Sequence, residues 1–466
     1  MLPSASTPNT HPPLPACSIW QAGVKAVRGG EAIGRSITLD TEALQIGNIR
    51  IPRQSFDRLL VVGGGKATAA MAAGVLRQLS PQLPIRGWIN VPAGTADGFP
   101  ASGIHICEAR PAGVNEPTER AVEGTQAILE AVATASARDL CLVLLSGGGS
   151  ALLVAPASGI SLADKLAVTR YLSASGASIT KLNTVRKHLS RIKGDRLRRA
   201  CRASRLVTLV LSDVIGDPLD MIASGPTTPD TTTTADALAV LNKYDRQRTL
   251  PPAVYSYLDR EETIVPPASA PDTVVIANNA MAVAAAAKQA RALGYTVESA
   301  AATTAEGSAE SVGEQLALRA VELLRRDSGS AHQGCCVVTG GEPVVRLAPE
   351  AVRGKGGRNQ QLVLAAMIAL ARHPEFRVED RKRLVLLSGG TDGEDGPTDA
   401  AGAVLSEAVW QACEQHALAP LDYLRRNDAY SFFARTGGLL LTGPTGTNVC
   451  DLRVLTVSPS SSVVDR

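Results

Sequence analysis

Aromatic residues are scarce in this chain of 466 residues, where Phe, Trp and Tyr together make up 3%. Because few rings are available for base stacking and the formal net charge is only +3, the composition gives no support for nucleic-acid binding. A run of about 18 or more apolar residues is also missing, so no membrane-spanning helix is expected. The opening MLPSASTPNTHPPLPA has no apolar signal-peptide core, and residues 1–17 are predicted to be a disordered tail.

The cysteines do not occur at paired spacings. The chain has eight cysteines, but no CxxC pair, no HExxH and no zinc-type Cys/His spacing. This usage is typical of reduced thiols, and we therefore predict a cytoplasmic protein.

What the sequence has instead is a set of short apolar runs that end in glycine. They read LLVVGGGK (Leu59–Lys66), LVLLSGGGS (Leu142–Ser150), CVVTGGE (Cys336–Glu342) and LVLLSGG (Leu384–Gly390). Each run has the length of a buried parallel strand, and helical segments alternate with them. The pattern predicts an α/β fold, and we interpret the glycine turns as the rim of one site.

A shift in composition predicts two domains. The proline-rich segment VPPASAP (Val265–Pro271) is interpreted as a linker. We place an N-terminal domain at residues 18–265 and a C-terminal domain at residues 272–456. The closing stretch LLLTGPTGTNVCDLRVL is predicted to form a turn and an antiparallel hairpin at the edge of a sheet.

Two of the glycine loops carry cations. GGGK (Gly63, Gly64, Gly65, Lys66) precedes a helix, where amide groups and the helix dipole favour an anion. It is neither a Walker A loop nor a dinucleotide fingerprint, because Leu60 and Thr68 stand where those motifs need glycine. The second cationic loop, GKGGRNQQ, places Arg358 at a helix start, where a guanidinium can bind a carboxylate or a phosphate.

A third loop, SGGGS at Ser146–Ser150, is neutral. It fails the GxSxG pattern of a serine hydrolase because Leu152 occupies the second glycine position. The absence of a dinucleotide fingerprint likewise disfavours a nicotinamide-dependent reductase.

Acidic residues follow the last of the glycine strands. Asp392, Glu394, Asp395 and Asp399 fall within a glycine-rich loop, and Mg²⁺ favours such carboxylates together with phosphate oxygens. A solvated acidic turn is the alternative. Similarly, the basic segment Lys181–Arg199 is either a solvated helical face or an anion-binding wall.

In combination, these segments resemble the glycerate kinases that carry a MOFRL-type C-terminal domain, a group whose members are also named hydroxypyruvate reductase or tartrate-utilisation protein. The shared segments include VVGGGKA, LLSGGGSALL, KLNTVRKHLSRIKG, GKGGRNQQ and SGGTDGEDGPTDAAGA. The resemblance implies two α/β/α domains, one with a Rossmann-like, largely parallel sheet and one with a mixed sheet, with the active site in the cleft between them. It also implies ATP- and Mg²⁺-dependent phosphorylation of D-glycerate to 2-phosphoglycerate.

The resulting hypothesis assigns a role to each group of residues. Lys66 and Arg358 are the active-site cations that the resemblance implies, and Asp213 orients the acceptor hydroxyl. Asp392, Asp395 and Asp399 are the predicted metal ligands. The predicted nucleotide contacts are Gly63, Gly64, Gly65, Ser146, Gly147, Gly148, Gly149, Ser150, Gly356, Gly357, Asn359, Gly389 and Gly390.

Two rival functions remain open from the sequence, a hydroxypyruvate or tartronate semialdehyde reductase and a non-catalytic nucleotide-binding regulator. The expected partners are D-glycerate and ATP, with no nucleic acid and no membrane. The oligomeric state is left open, a homodimer included.

Overall fold

The structure is a computed structural model that describes residues 14–96, 98–100, 103–111, 114, 116–260, 271–326 and 334–459. Most of the predicted tail, residues 1–13, and most of the predicted linker, residues 265–270, lie outside these ranges. In the described part of the chain no helix is both long and apolar enough to span a membrane.

Strands and helices alternate along much of the chain, as the apolar runs predict. The strands are β1 (Ile37–Leu39), β2 (Ala43–Ile46), β3 (Ile49–Pro52), β4 (Arg58–Gly64), β5 (Ile85–Pro92), β6 (Ile104–Arg110), β7 (Asp139–Leu145), β8 (Arg205–Leu211), β9 (Asp272–Ala277), β10 (Thr296–Ala301), β11 (Cys335–Gly341), β12 (Leu384–Gly390), β13 (Gly402–Leu405), β14 (Leu439–Leu440) and β15 (Asp451–Val457). The helices are α1 (Pro15–Ala26), α2 (Gly29–Ser36), α3 (Thr68–Leu79), α4 (Glu119–Ala133), α5 (Gly149–Leu152), α6 (Leu162–Ala174), α7 (Ile179–His188), α8 (Arg196–Ala200), α9 (Thr234–Tyr244), α10 (Pro252–Leu258), α11 (Asn279–Ala292), α12 (Ala309–Arg326), α13 (Arg358–Arg372), α14 (Glu407–Gln415), α15 (Pro420–Arg425) and α16 (Ala429–Thr436).

Two compact units divide the chain. The parallel-sheet unit comprises Ala26–Met281 and Pro444–Cys450, and the mixed-sheet unit contains α1 up to Lys25, Ala282–Gly443 and the chain from Asp451. The division therefore falls inside α11 rather than in the predicted linker. Helix α1 begins at Pro15, inside the predicted tail, and belongs with the C-terminal elements.

The parallel-sheet unit has the Rossmann-like sheet that the sequence predicts. Within the described residues its main sheet has six strands in the order β6-β5-β4-β7-β8-β9, all paired in parallel. Every residue of β7 is buried, because both faces of a parallel sheet are covered by other elements. The carboxyl ends of these strands share one edge, which brings their loops together.

The mixed-sheet unit also contains a six-stranded sheet in its described residues, in the order β10-β11-β15-β12-β13-β14. Among the strands that the structure describes here, only β10 and β11 pair in parallel, and β15 runs antiparallel to both of its neighbours. The prediction that the closing stretch forms an antiparallel hairpin at a sheet edge is wrong, because β14 pairs with β13 whereas β15 pairs with β11 and β12. All seven residues of β15 are buried in the middle of the sheet.

Candidate active site

Two glycine loops lie side by side at the carboxyl edge of the parallel sheet. GGGK leaves β4 and SGGGS leaves β7, and these two strands are direct neighbours. The Lys66 amide donates to the Gly147 carbonyl at 2.8 Å, and the Ala67 amide donates to the Ser146 hydroxyl at 3.0 Å. The two loops therefore form one hydrogen-bonded layer.

The two loops differ in what their backbones offer to an anion. In GGGK the Gly65 amide donates to the Asn90 carbonyl at 3.2 Å, and the next two amides bond to SGGGS as described. These amides are therefore already bonded within the protein, and what this loop offers to an anion is the Lys66 side chain. In SGGGS the amides of Gly147 and Gly148 find no acceptor among the described residues.

A second cation lies beside Lys66. Gly148 has a φ of 76°, and a Cβ atom there would lie 3.1 Å from Nη2 of Arg110 and 3.6 Å from Cγ of Lys66. Arg110 ends β6 and is 3% exposed. Sequence reasoning did not assign it to the site, because β6 reads IHICEAR and Arg110 is only one of several polar residues in that strand.

Asp213 approaches the same loop from the next strand, β8. A Cβ atom on Gly147 would lie only 2.3 Å from Oδ2 of Asp213 and 2.3 Å from Nδ2 of Asn448. The Asn448 amide donates to Asp213 at 3.4 Å. The structure therefore brings Lys66, the SGGGS loop and Asp213 together in one unit, and adds Arg110 and Asn448.

The basic segment is largely buried, so its interpretation as a solvated face is wrong for several residues. Lys187 is 4% exposed and Lys193 is 1% exposed. Lys187 lies 3.3 Å from Asp220, whereas the Lys193 ammonium donates to the Ser150 carbonyl at 2.9 Å. Part of this segment thus packs directly behind the SGGGS loop.

In the mixed-sheet unit, Arg358 is held by two acids. Its Nε and Nη2 donate to the Asp451 carboxylate at 2.7 and 3.0 Å, and its Nη1 lies 3.0 Å from Glu342. Burial alone would lower the pKa of Arg358, but the charges of Asp451 and Glu342 outweigh it and raise the pKa. The guanidinium is therefore fixed in orientation and permanently charged.

Asp395 caps the helix that begins at Arg358. Its carboxylate accepts from the backbone amides of Asn359 at 3.0 Å and Gln360 at 2.9 Å. Burial raises the pKa of Asp395 to about 7, even though these amides favour the ionised form. The anion at this helix start is thus a side chain of the protein itself.

The remaining predicted nucleotide contacts of this unit are packed against protein groups. A Cβ atom on Gly357 would lie 2.2 Å from the Asp395 carboxyl carbon, and one on Gly356 would lie 3.2 Å from the Asn427 carbonyl. Asn359 is 1% exposed and accepts from the Ser388 hydroxyl at 2.5 Å. Gly389 and Gly390 lie inside β12 rather than in a turn after it.

The three predicted metal ligands have different hydrogen-bond partners. Asp395 uses its oxygens in the helix cap, and the exposed Asp399 accepts from the Tyr430 hydroxyl at 2.7 Å. Asp392 accepts from the Glu394 amide at 3.1 Å. No three His, Cys, Asp or Glu side chains in the described ranges group closely enough to hold a metal ion.

Comparisons with known proteins agree with this architecture. Residues 16–259 match the family described as "Domain of unknown function (DUF4147)", and residues 335–451 match the MOFRL family. A glycerate kinase from Bos taurus is 36% identical over 95% of this chain and 93% of its own length. A D-glycerate 2-kinase from Thermotoga maritima is 37% identical over 86% of this chain and 91% of its own length.

A solved structure matches as well. The crystal structure of a glycerate kinase from Thermotoga maritima superimposes with a TM-score of 0.79 at 34% identity, covering 95% of this chain and 98% of that one. The fold defines a two-unit α/β protein with a parallel and a mixed sheet. The chain belongs to the glycerate kinase family that combines a DUF4147 domain with a MOFRL domain.

Proposed function

We propose that the protein is an ATP- and Mg²⁺-dependent kinase that phosphorylates the 2-hydroxyl of D-glycerate to give 2-phosphoglycerate. The observation that carries the proposal is the grouping of Lys66, Arg110 and the SGGGS loop at one sheet edge beside Asp213. Phosphoryl transfer needs cations and amides around the phosphates and a group that orients the acceptor. The names of the relatives support the same reaction.

In the proposed mechanism each residue has one task. The Lys66 ammonium stabilises negative charge on the transferring phosphoryl group, and the amides of Gly147 and Gly148 donate to phosphate oxygens. The acceptor oxygen forms a bond to the γ-phosphorus while the bond to the bridging oxygen of ADP breaks. Asp213 accepts the proton of the acceptor hydroxyl, and Asn448 holds the Asp213 carboxylate in place.

Mg²⁺ enters the proposal as the counter-ion of ATP. Such an ion needs only one or two protein carboxylates in addition to phosphate oxygens. Asp395 does not fit as a ligand because both of its oxygens accept from backbone amides. Activity is expected to disappear with EDTA and to return with added Mg²⁺, and unchanged turnover in EDTA would contradict this part of the proposal.

The decisive experiment is an assay of the purified protein with ATP, Mg²⁺ and D-glycerate. We expect ADP to form only when D-glycerate is present, and NMR to identify 2-phosphoglycerate rather than 3-phosphoglycerate. A parallel assay with hydroxypyruvate and NAD(P)H tests the reductase alternative. Consumption of NAD(P)H without formation of ADP would contradict the kinase proposal. If neither reaction is observed, the result favours a nucleotide-binding regulator.

A further inference from the structure

The cations behind the SGGGS loop fall into two groups. In the first, basic side chains of the segment pair with acids: Lys187 lies 3.3 Å from Asp220, and Arg198 lies 2.6 Å from Asp195. In the second group are Lys165, Arg186 and Lys193, which have no carboxylate within ion-pair distance among the described residues. The second group therefore lacks the usual compensation for buried charge.

The acceptors of the second group are backbone carbonyls. The Lys193 ammonium donates to the carbonyls of Ser150 at 2.9 Å and Ala223 at 3.3 Å, and the Lys165 ammonium donates to that of Leu189 at 2.6 Å. Arg186 donates through Nη2 to the Ser150 carbonyl at 3.3 Å. Two of the three cations thus converge on the last residue of the SGGGS loop.

This arrangement is energetically expensive in the absence of an anion. Lys165 is 7% exposed and Lys193 is 1% exposed. Burial, together with the charges of neighbouring cations, lowers the pKa of Lys165 to about 7 and lowers that of Lys193 well below its usual value. Burial alone lowers the pKa of Arg186, since no acid in the described part of the chain lies close enough to oppose it. Unpaired buried charge of this kind is characteristic of binding sites.

Hydroxyl groups lie at the same place. The hydroxyls of Ser150 and Ser224 are 2.9 Å apart, and Ser224 donates to Oδ1 of Asn183 at 3.2 Å. Ser224 and the preceding Ala223 both have positive φ, 61° and 51°, which is strained for residues with a Cβ atom. The fold therefore holds Ser224 beside Ser150 at a cost in backbone energy.

We propose that Arg186 binds an oxyanion of the substrate at the Ser150 end of the SGGGS loop, with the Ser150 hydroxyl as a further donor and with Ser224 and Lys193 as positioning residues behind it. Arg186 is the member of the group that is partly exposed, and its planar guanidinium suits carboxylate and phosphate oxygens. Lys66 lies at Gly148, two residues away, so the loop would have an anion-binding group at each end. The oxyanion is either the carboxylate of the hydroxy acid or a phosphate of the nucleotide.

This inference rests on the proposed function for its choice of substrate, and steady-state kinetics of Arg186→Gln distinguish the two sources. Loss of a hydrogen-bonded charge pair is expected to raise one KM by about 30-fold, with kcat changed much less. A higher KM for D-glycerate identifies the carboxylate, and a higher KM for ATP identifies a phosphate. Arg186→Lys keeps the charge but loses the planar guanidinium, so its KM should lie between that of the wild type and that of Arg186→Gln.

The matched control is Arg191→Gln in the same basic segment. Arg191 is exposed and donates to the Pro156 carbonyl at 3.0 Å and to Gln126 at 2.9 Å, away from Ser150. Its kinetic constants should equal those of the wild type. If Arg186→Gln changes neither KM, whether or not its Tm falls, Arg186 is only structural and the inference is overturned.

Calorimetric titration separates this inference from the proposed function because it needs no turnover. D-glycerate, ADP and inorganic phosphate are each titrated into the wild type and into Arg186→Gln. Weaker binding of any of these anions to the variant supports the oxyanion site, even if the wild type does not phosphorylate D-glycerate. Equal binding by both proteins, or binding of none of the three by the wild type, overturns it.

Discussion

The heptapeptide LVLLSGG occurs twice in this chain, at Leu142–Gly148 and at Leu384–Gly390, and the two copies have different structures. The first copy spans a strand with parallel neighbours and turns into a loop at Ser146. In the second copy the strand continues to Gly390 between antiparallel neighbours. The same residues therefore form part of the candidate site in one sheet and part of the packed interior in the other.

The glycines of the two copies show the same contrast. A Cβ atom on Gly147 would overlap the polar side chains of Asp213 and Asn448, whereas one on Gly389 would lie 2.8 Å from Leu440 and 3.2 Å from the ring of Trp20. At both positions side chains lie close to the glycine backbone, but only at Gly147 are these side chains polar. Strand direction, which the heptapeptide does not encode, decides between the two outcomes.

The largest expected effect is a loss of kcat when Lys66 is removed, and it is compared with removal of Arg358 in the other unit. Lys66→Ala should lower kcat by about 10³-fold, since loss of a cation at a transferring phosphoryl group costs roughly 4 kcal/mol. Its Tm should stay close to that of the wild type. Arg358→Ala should also lower kcat if Arg358 serves the same phosphoryl group, and the double variant should then lose much less than the product of the two effects.

Arg358→Ala should differ from Lys66→Ala in stability. The Asp451 carboxylate is completely buried, so removal of its arginine leaves a buried charge with fewer partners, at a cost of about 2 kcal/mol after allowance for the partly exposed guanidinium. Thermal unfolding of both variants, together with Arg358→Lys, measures this difference. Strictly multiplicative losses of kcat in the double variant would show that the two residues act separately.

The next prediction compares equivalent glycines. Gly147→Ala should lower kcat by about 10²-fold by displacing Asp213, with a modest loss of stability. Gly389→Ala should lower the free energy of unfolding by about 1–3 kcal/mol through overpacking against Leu440 and Trp20, with kcat little changed in the folded fraction. Both variants are measured by steady-state kinetics and by chemical denaturation. Equal losses of kcat and of stability in the two variants would contradict the difference between the two copies.

Asp395→Asn tests whether this acid is a helix cap or a metal ligand. An amide can replace only one of the two carboxylate acceptors, so we expect a loss of about 1–2 kcal/mol in stability and an unchanged Mg²⁺ requirement. A sharply increased Mg²⁺ requirement in a variant with wild-type Tm would instead identify Asp395 as a ligand.

The pH dependence of stability gives a second test at Asp395. Its pKa is raised to about 7 in the fold, above the ordinary value of an aspartate, so the folded state binds this proton more tightly than the unfolded state does. The contribution is fully present below about pH 4 and is lost as the pH rises through about 7. The stability difference between wild type and Asp395→Asn should therefore shrink between about pH 5 and pH 8 in denaturation curves.

The smallest effect is expected at Asp399. Its side chain is 71% exposed, and its partners are the Tyr430 hydroxyl and a lysine 3.9 Å away. Asp399→Asn should change stability by less than about 0.5 kcal/mol, which denaturation curves can bound. A large loss of activity in this variant would instead support Asp399 as a metal ligand.

The sequence predicts the strand-end loops well because the rule behind them is local. An apolar run followed by glycines identifies β4 and β7, and parallel pairing then places Lys66 beside SGGGS. The misplacement of β15 has a non-local cause. Its Arg453 is 2% exposed and pairs with Glu306 at 2.6 Å, so the charge that this strand carries into the sheet is neutralised by a residue far away in the chain.

Contacts between distant parts of the chain also limit prediction of the candidate site. The acidic neighbours of Asp395 predict a metal ligand, whereas its carboxylate accepts from the first amides of a helix that begins 37 positions earlier in the chain. Arg186 belonged to a charge run that is usually solvated, and only its burial behind SGGGS distinguishes it from Arg191. Patterns along the chain identify such residues, whereas their partners depend on contacts between distant segments.

The position of β15 has a consequence for the order in which the protein is made. On the ribosome β11 and β12 emerge long before β15, the strand that separates them in the finished sheet. Until residues 451–457 leave the exit tunnel, each of these strands has an unpaired edge, and such edges favour aggregation. The mixed-sheet unit must therefore complete its fold after most of its chain has been synthesised, whereas the main sheet of the parallel-sheet unit has all of its strands once β9 has emerged.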